Sequence, residues 1–560
     1  MSVDSSGVQA SGPSGVPTIS ADGRFVAFVS TAPDLVANDT NGVSSDVFLR
    51  DLQTGQTSLV SVDTSGAQVF GGAGYTGISA QGRYVAFVRV DAFVRDLQTA
   101  QTTQVNVDSA GNPGDGYCAV PSISADGRFA SFQSNGSSLV VGDTNGHSDI
   151  FVHDLQTGET TRVSVSTGGV QANFESHSGQ PCISQNGRFV VFWSYASNLI
   201  PNDANPGADV FVHDRQVHAT SIVSVNSAGI QGDGYSQNCS ISGDGRYIAF
   251  HSYSTNLVPG DIGGFADIFV RDLQMLTTTR VSIGAGGVQG NGDSWVPFIS
   301  ANGRYVSFQS NASNLVSDDT NGLMDVFVHD RQTGSTTRVS VDTGGAQGNG
   351  VSDVSSISGD GRQVVFESDA SNLVAGDTNA AGDVLVRDRF VVHGLAFCFG
   401  DGTLPTSCPC SPPDIVPVPG SAPGHGCANS FNLAGGLLAA TGVLNPDTVT
   451  FTAAVGASYA GFGFLVKGNS QHPNGIANGD GLRCVDGALM RFGGHNAGTN
   501  GAALGTWTYP NTVQTITVSA ATLQSAGQSA SYQLFYRNAV AGFCSSGTTN
   551  WTNGIRLSWP

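Results

Sequence analysis

Ile19-Ser-Ala-Asp-Gly-Arg-Phe-Val-Ala-Phe28 decides the fold, because the chain keeps returning to it. Copies begin at Ile78, Ile123, Ile183, Ile241, Ile299 and Ile357. The glycine of the Gly-Arg pair falls at 23, 82, 127, 187, 245, 303 and 361, so the unit is about 58 residues long. A fixed period of this size marks one supersecondary unit repeated side by side. The Ile-Ser run reads as a strand closed by an Asp-Gly or Asn-Gly hairpin turn. Arg-Phe-Val-Ala-Phe alternates as the second strand. The sixth copy shows the rest: a loop at 314–322, a strand Asp325-Val-Phe-Val-His-Asp330, a Gln332-Thr-Gly334 turn and a strand Thr336-Thr-Arg-Val-Ser-Val341. Seven such four-stranded units over 1–392 predict an all-β, seven-bladed propeller. The seventh unit lacks a fourth strand after Asp383–Asp388. Ser2-Val-Asp-Ser-Ser-Gly-Val-Gln9 aligns with Ser340-Val-Asp-Thr-Gly-Gly-Ala-Gln347, so an N-terminal strand is expected to close the last blade.

Composition agrees. Of 560 residues 75 are Gly, charged residues are 12%, and Lys467 is the single lysine. Helix faces want Lys and Glu, and Glu occurs only at 159, 175 and 367. The net charge is −20, which disfavours nucleic acid and anionic membrane as partners. No apolar run reaches membrane-spanning length, so membrane insertion is not expected. The polar N-terminus does not read as a signal peptide, and a mature chain with an added or retained Met1 is expected.

Residues 393–420 form a Pro- and Cys-rich joint, and 421–560 alternate as short strands that suggest a small β-sandwich. Six of nine cysteines (398, 408, 410, 427, 484, 544) lie in this part, a density that points to an oxidising compartment and up to three disulfides of open connectivity. Cys118, Cys182 and Cys239 precede first strands in neighbouring units, so either a bridge between two of them or buried free thiols is expected.

The repeat Ile-Ser-Ala-Asp-Gly-Arg-Phe-Val-Ala-Phe resembles that of TolB-like, or WD40-like (PD40), propellers. Its Asp-Thr-Asn-Gly…Asp-Val-Phe-Val-Arg-Asp extension resembles a subgroup in secreted bacterial proteins. The resemblance covers about 70% of the chain and implies a binding platform more than an enzyme. The chain differs from TolB in having seven units rather than six and no TolB-type N-terminal domain. The tail (Gly481-Leu-Arg-Cys484, Tyr536-Arg-Asn538, Phe543-Cys544, Asn553-Gly-Ile-Arg-Leu557) resembles a C-terminal domain of secreted planctomycete-type proteins. It implies an extracellular or cell-surface location.

Function is expected at the top face, where the long loops between second and third strands meet the connections to the next unit. Those loops carry Asp pairs: Asp39 and Asp46, Asp143 and Asp149, Asp203 and Asp209, Asp261 and Asp267, Asp319 and Asp325, Asp377 and Asp383. With Asn41, Asn145, Asn321 and Asn379 they resemble shortened calcium loops. The alternative is an Asx-turn closed by its own side chains. One copy per blade points to a structural ion. The top connections carry Phe70, Tyr75, Tyr117, Phe174, Tyr235 and Trp295, aromatic platforms suited to sugar rings or to plugging the channel. His153, His213 and His329 share a slot with Arg50, Arg95, Arg271 and Arg387 and read as surface positions. The arginine of each Gly-Arg pair and the aspartate ending each third strand read as paired bottom-face architecture.

No nucleophile elbow, Walker loop or zinc-protease motif occurs, and no catalytic residue is assigned. The expected function is a secreted or surface platform for polysaccharide or an extracellular protein, of open oligomeric state. The alternatives are a polysaccharide lyase or hydrolase at the channel mouth, with His177, Tyr235, His251 and Trp295 as nearest candidates, or a subunit of an extracellular assembly.

Overall fold

The computed structural model describes residues 2–389 apart from 69–71, and the backbone of strand segments between 395 and 558. The chain divides at Arg389 into two units, Met1–Arg389 and Phe390–Pro560. In the second, described strands pair antiparallel, for example Thr448–Ala454 with Val513–Ser519. The sandwich assignment and the six tail cysteines fall outside the described side chains.

The first unit is the expected propeller. Blade 5 is typical: Ser236–Ile241, Tyr247–Ser252, Asp267–Asp272 and Thr277–Arg280 pair antiparallel in chain order. Blades 1 to 6 each have four strands, and blade 7 has three described strands, Ser352–Ile357, Gln363–Ser368 and Asp383–Asp388. Blade 2 is the short repeat because its second and third strands, Tyr84–Val88 and Ala92–Asp96, join without the long loop. Each sheet buries side chains on both faces, so the second and third strands are nearly continuous apolar runs. Stacked rings tie them together, as in Phe250 and Phe269 with centroids 5.9 Å apart. Burying such a ring contributes roughly 2–3 kcal/mol.

Closure of the ring differs from the expected ladder. Ser2 donates its N–H to the Val384 carbonyl at 3.2 Å, and its hydroxyl contacts the Asp383 carboxylate. Gln9 then bonds Asp377 and Asp383, both at 2.8 Å. The first residues thus join blade 7 through a backbone bond and side-chain clamps, and among the described residues no fourth strand of that blade is present.

Two interactions repeat at the bottom. In all seven blades the repeat arginine pairs with the aspartate ending the third strand, at 2.6–2.7 Å. In blades 1 to 6 the same guanidinium lies over the next aromatic ring, as Arg246 does over Tyr247 at 4.7 Å. Neighbouring blades interlock through the turn glycine. Gly245 has φ +78°, and a Cβ there would lie 2.4 Å from Cδ2 of Phe189 in the preceding blade. Turn-to-turn bonds (Gln185 N to Gly243 O, Gly243 N to Ala301 O, Gly359 N to Ala21 O) run round the channel bottom. The first strands, through Ile19, Ile123, Ile241 and their equivalents, line a channel cavity of about 110 Å³.

The cysteine expectation resolves to buried free thiols at Cys118, Cys182 and Cys239. The histidine slot is not a surface position. His153, His213 and His329 are buried, with Nδ1 2.9 Å from a fourth-strand threonine hydroxyl. In blades 1, 2 and 5 arginine occupies the slot and donates to the equivalent threonine, as Arg95 does to Thr102 at 2.7 Å. Either donor satisfies that hydroxyl, which is why the two residues interchange without exposure.

Gly245→Ala is expected to lower stability by about 2–4 kcal/mol, from the left-handed backbone and the ring clash together. Gly229→Ala (φ +80°, with open space around it) isolates the backbone part at about 1 kcal/mol. Urea unfolding midpoints of both variants check this. The Arg83 hydrogen bonds hold the Asp96 carboxyl at about 2. A carboxyl lowered on folding stabilises above its unfolded pKa and loses that contribution as pH falls. The melting temperature should therefore drop between pH 4 and pH 2, and drop less steeply in Asp96→Asn.

Candidate functional site

Each first strand carries a bulge where it enters the channel from the top. The residue at the bulge has positive φ in six blades: Val16 (50°), Tyr75 (46°), Val120 (46°), Asn238 (41°), Val296 (48°) and Val354 (33°). Branched side chains in this region are strained, and such strain persists where surrounding structure imposes it. The bulge turns an N–H toward the preceding blade. Val354 N donates to Gln309 Oε1 at 3.0 Å, and Val16 N donates to Glu367 Oε2 at 3.3 Å.

Just before the bulge, a first-strand residue faces a second-strand residue across the sheet, giving one rim pair per blade. They are Gly15 and Val29, Gly74 and Val88, Ala119 and Gln133, His177 and Trp193, Gln237 and His251, Trp295 and Gln309, Asp353 and Glu367. The repeat breaks here. Blades 1 and 2 offer small and aliphatic groups, blades 4 to 6 aromatic, imidazole and amide groups, and blade 7 two carboxyls.

The polar and aromatic pairs connect into one belt. Gln133 Nε2 lies 3.1 Å from His177 Nδ1, and the His177 ring stacks on Trp193 at 4.1 Å and 18°. Trp193 meets Tyr195 edge-on at 5.7 Å, and Gln237 Nε2 donates to the Tyr195 hydroxyl at 3.1 Å. His251, opposite Gln237, meets Tyr253 at 6.3 Å, and Trp295 Nε1 donates to the Tyr253 hydroxyl at 3.3 Å. Burial pushes the His251 pKa down to about 4 and also lowers that of His177. His251 is therefore a neutral imidazole at pH 7. The residue is 3% exposed, and its Nδ1 is buried with no hydrogen-bond partner.

Of the expected aromatic platforms, Trp295 joins the belt directly, and Phe174 joins it through Tyr195 at 6.2 Å. Phe174 also packs on His147 at 4.7 Å. Tyr75, Tyr117 and Tyr235 are exposed, but no ring contact links them to the belt among the described residues. Phe70 lies outside the described residues. Trp193, Tyr195 and Tyr253 escaped sequence reading because they occupy the end of the second strand, which the repeat made look architectural. Comparing two columns between repeats, Val29, Val88, Gln133, Trp193, His251, Gln309 and Glu367 and the one two residues on that holds Tyr195 and Tyr253, would have revealed the belt.

The loop aspartates are held by an amide. Gln231 Nε2 donates to Asp203 Oδ1 and Asp209 Oδ2, both at 2.7 Å, while its Oε1 accepts the Ala204 N–H at 2.8 Å. A backbone N–H can only donate, so it fixes the amide with its NH₂ toward the carboxylates. Gln68 spans Asp39 and Asp46, Gln289 spans Asp261 and Asp267, and Gln347 spans Asp319 and Asp325 in the same way. In blade 3, Arg162 takes this place, 3.2 Å from Asp143 and 3.3 Å from Asp149. A serine hydroxyl completes each set, as Ser224 does on Asp209 at 2.6 Å. Asn145, Asn205, Asn321 and Asn379 accept the N–H two residues on and donate to a carbonyl of the following connection. Calcium coordination needs converging oxygens, whereas N–H donors point into the space between these carboxylates. In the loops of Asn145, Asn205, Asn321 and Asn379 the bonds are those of the Asx-turn alternative, whereas the buried side-chain atoms of Asn41, and Asp39 Oδ2 beside them, have no hydrogen-bond partner.

No protein-family profile matches the chain, and no curated protein matches it. Solved structures do. The chain is similar to a TolB of Agrobacterium tumefaciens at 15% identity, over 60% of this chain and 95% of that one, with TM-score 0.35. It is similar to the acylaminoacyl peptidase of Pyrococcus horikoshii at 12% identity, over 67% of this chain and 51% of that one, with TM-score 0.41. The β-propeller domain of Cps50 (Swd1) from Myceliophteria thermophila matches at 10% identity, over 67% of this chain and 97% of that one, with TM-score 0.35.

Burial pushes the Asp209 carboxyl up to about 6. A carboxyl raised on folding costs stability as pH rises through its folded value. Gln231→Glu adds a third carboxylate, so its melting temperature should fall below wild type at pH 7 and recover most of the loss at pH 5. The wild-type melting temperature should be the same in EDTA and in calcium. A fall of several degrees on chelation would place calcium in the loops.

Proposed function

We propose that the top face of this propeller is a glycan-binding platform working outside the cell, with the belt on blades 3 to 6 as its contact surface. The observation that carries the reading is the continuity of His177, Trp193, Tyr195, Tyr253 and Trp295 around one side of the channel mouth. Indole and phenol faces stack on the apolar faces of sugar rings, and the interleaved amides and imidazoles serve hydroxyls. The bulged strand geometry does not depend on this belt: blades 1 and 2 build the same mouth from Gly15, Val29, Gly74 and Val88. Unit-specific chemistry at a position that architecture leaves open is a mark of binding. The tail's cysteine density supports the extracellular location.

The propeller is expected to be retained on an insoluble polysaccharide from a panel of neutral, acidic and amine-bearing polymers. Trp193→Ala and Trp295→Ala should each weaken retention about tenfold or more, at the scale of a lost aromatic contact. Neither should change the melting temperature by more than a few degrees. Soluble oligosaccharide in the supernatant would replace the binding reading with a hydrolase or lyase. Retention unchanged in both variants would move the contact surface elsewhere, and capture of a protein partner alone would make the platform a protein scaffold.

A further inference from the structure

We propose that the channel mouth selects sugars carrying a protonated amine, and that Asp353 and Glu367 of blade 7 make the selection. The inference rests on the glycan-binding reading and names the class of glycan. Asp353 and Glu367 are directly opposed on antiparallel strands, and Asp369 follows two residues later. Like charges so placed repel. Burial raises both carboxyls above their ordinary range, and so does the charge of neighbouring carboxyls: Asp369 for Asp353, Asp353 and Asp369 for Glu367.

Elsewhere in the propeller, paired carboxylates have a partner with N–H groups. Those at the bottom have guanidinium ions, and those in the loops have a glutamine amide or Arg162. Among the described residues no Arg, Lys or His forms an ion pair with Asp353, Glu367 or Asp369. Glu367 is nevertheless fixed. Its Oε2 accepts the Val16 N–H and lies where a Cβ on Gly15 would come within 2.3 Å. The uncompensated pair is thus held in place, beside a glycine that leaves room for it.

The acidic pair continues directly into the belt. Gln309 accepts the Val354 N–H beside Asp353, and Gln309 is itself the cross-strand partner of Trp295. A ligand over this junction meets carboxyls on one side and an indole on the other. An ammonium group suits both, through charge-assisted hydrogen bonds and cation–π contact. A metal ion is the poorer fit, since no group of three or more His, Cys, Asp or Glu that could hold a metal occurs among the described residues.

The test titrates the full chain at pH 6 with β-1,4-linked glucosamine tetrasaccharide and with its fully N-acetylated counterpart, which keeps the rings and removes the charge. The free amine is expected to bind about tenfold or more tightly than the acetylated form. Asp353→Asn with Glu367→Gln should abolish that preference by weakening the amine sugar to the level of the acetylated one. Both variants are near-isosteric and remove repulsion, so the melting temperature should hold or rise, which separates selectivity from misfolding. Equal wild-type affinity for the two sugars overturns the amine selection and leaves the glycan reading standing. Binding of neither overturns both. Displacement of bound amine by millimolar calcium chloride makes the pair a metal site and overturns the proposal. Binding of tetralysine without either sugar does so in favour of a basic peptide.

Discussion

A propeller blade cannot cover its own faces. Each sheet here is apolar on both sides, and what covers it is the next sheet, so the seven units are stable only together. The contact that enforces this is small. A phenyl or phenol ring at the start of one second strand sits where the next blade's turn glycine would carry a Cβ. Phe25 over Gly82, Phe189 over Gly245 and Tyr305 over Gly361 are instances. The glycine serves twice, once for its positive φ and once for the room it leaves. The guanidinium over the same ring and its bond to the third-strand aspartate then fix the turn against the sheet. Where Gln363 replaces the aromatic residue in blade 7, it faces Gly23 of blade 1, at the junction that the chain's first residues close.

With the bottom committed to architecture, the top is free to vary, and it varies in one place. The bulged first strands present one cross-strand pair per blade to the channel mouth. Those pairs run from glycine and valine through indole, imidazole and amide to two opposed carboxyls. The loops beyond them are held by an amide or guanidinium between each aspartate pair, so the rim stands on a rigid support. That rigidity favours binding, because little conformational entropy remains to be lost when a ligand settles.

The sequence made the fold legible because the fold is periodic. Each Ile-Ser-Ala-Asp-Gly-Arg-Phe-Val-Ala-Phe copy names two strands and a turn, and their number gives the ring. The bottom Arg–Asp pairing followed from the same regularity. What stayed hidden was set by contacts between repeats. The histidine slot looked exposed because His and Arg alternate there, yet a buried threonine hydroxyl accepts either donor. The loop aspartates read equally as cation ligands or as Asx-turns, because Asp-Thr-Asn-Gly is rich in oxygen. The glutamine that lies between them, Gln231 for Asp203 and Asp209, sits more than twenty residues away in sequence. The rim belt was hidden because Trp193, Tyr195 and Tyr253 lie where the repeat otherwise demands a strand end.

The claim on which the functional account stands is that ligand meets protein at the mouth over blades 3 to 7. A crystal structure of the full chain with a bound oligosaccharide tests it most directly. The account predicts sugar rings stacked on Trp193 or Trp295, with a substituent reaching Asp353 and Glu367. Sugar seated on the second unit, or on the bottom face among the Arg–Asp pairs, with the mouth untouched, would contradict it.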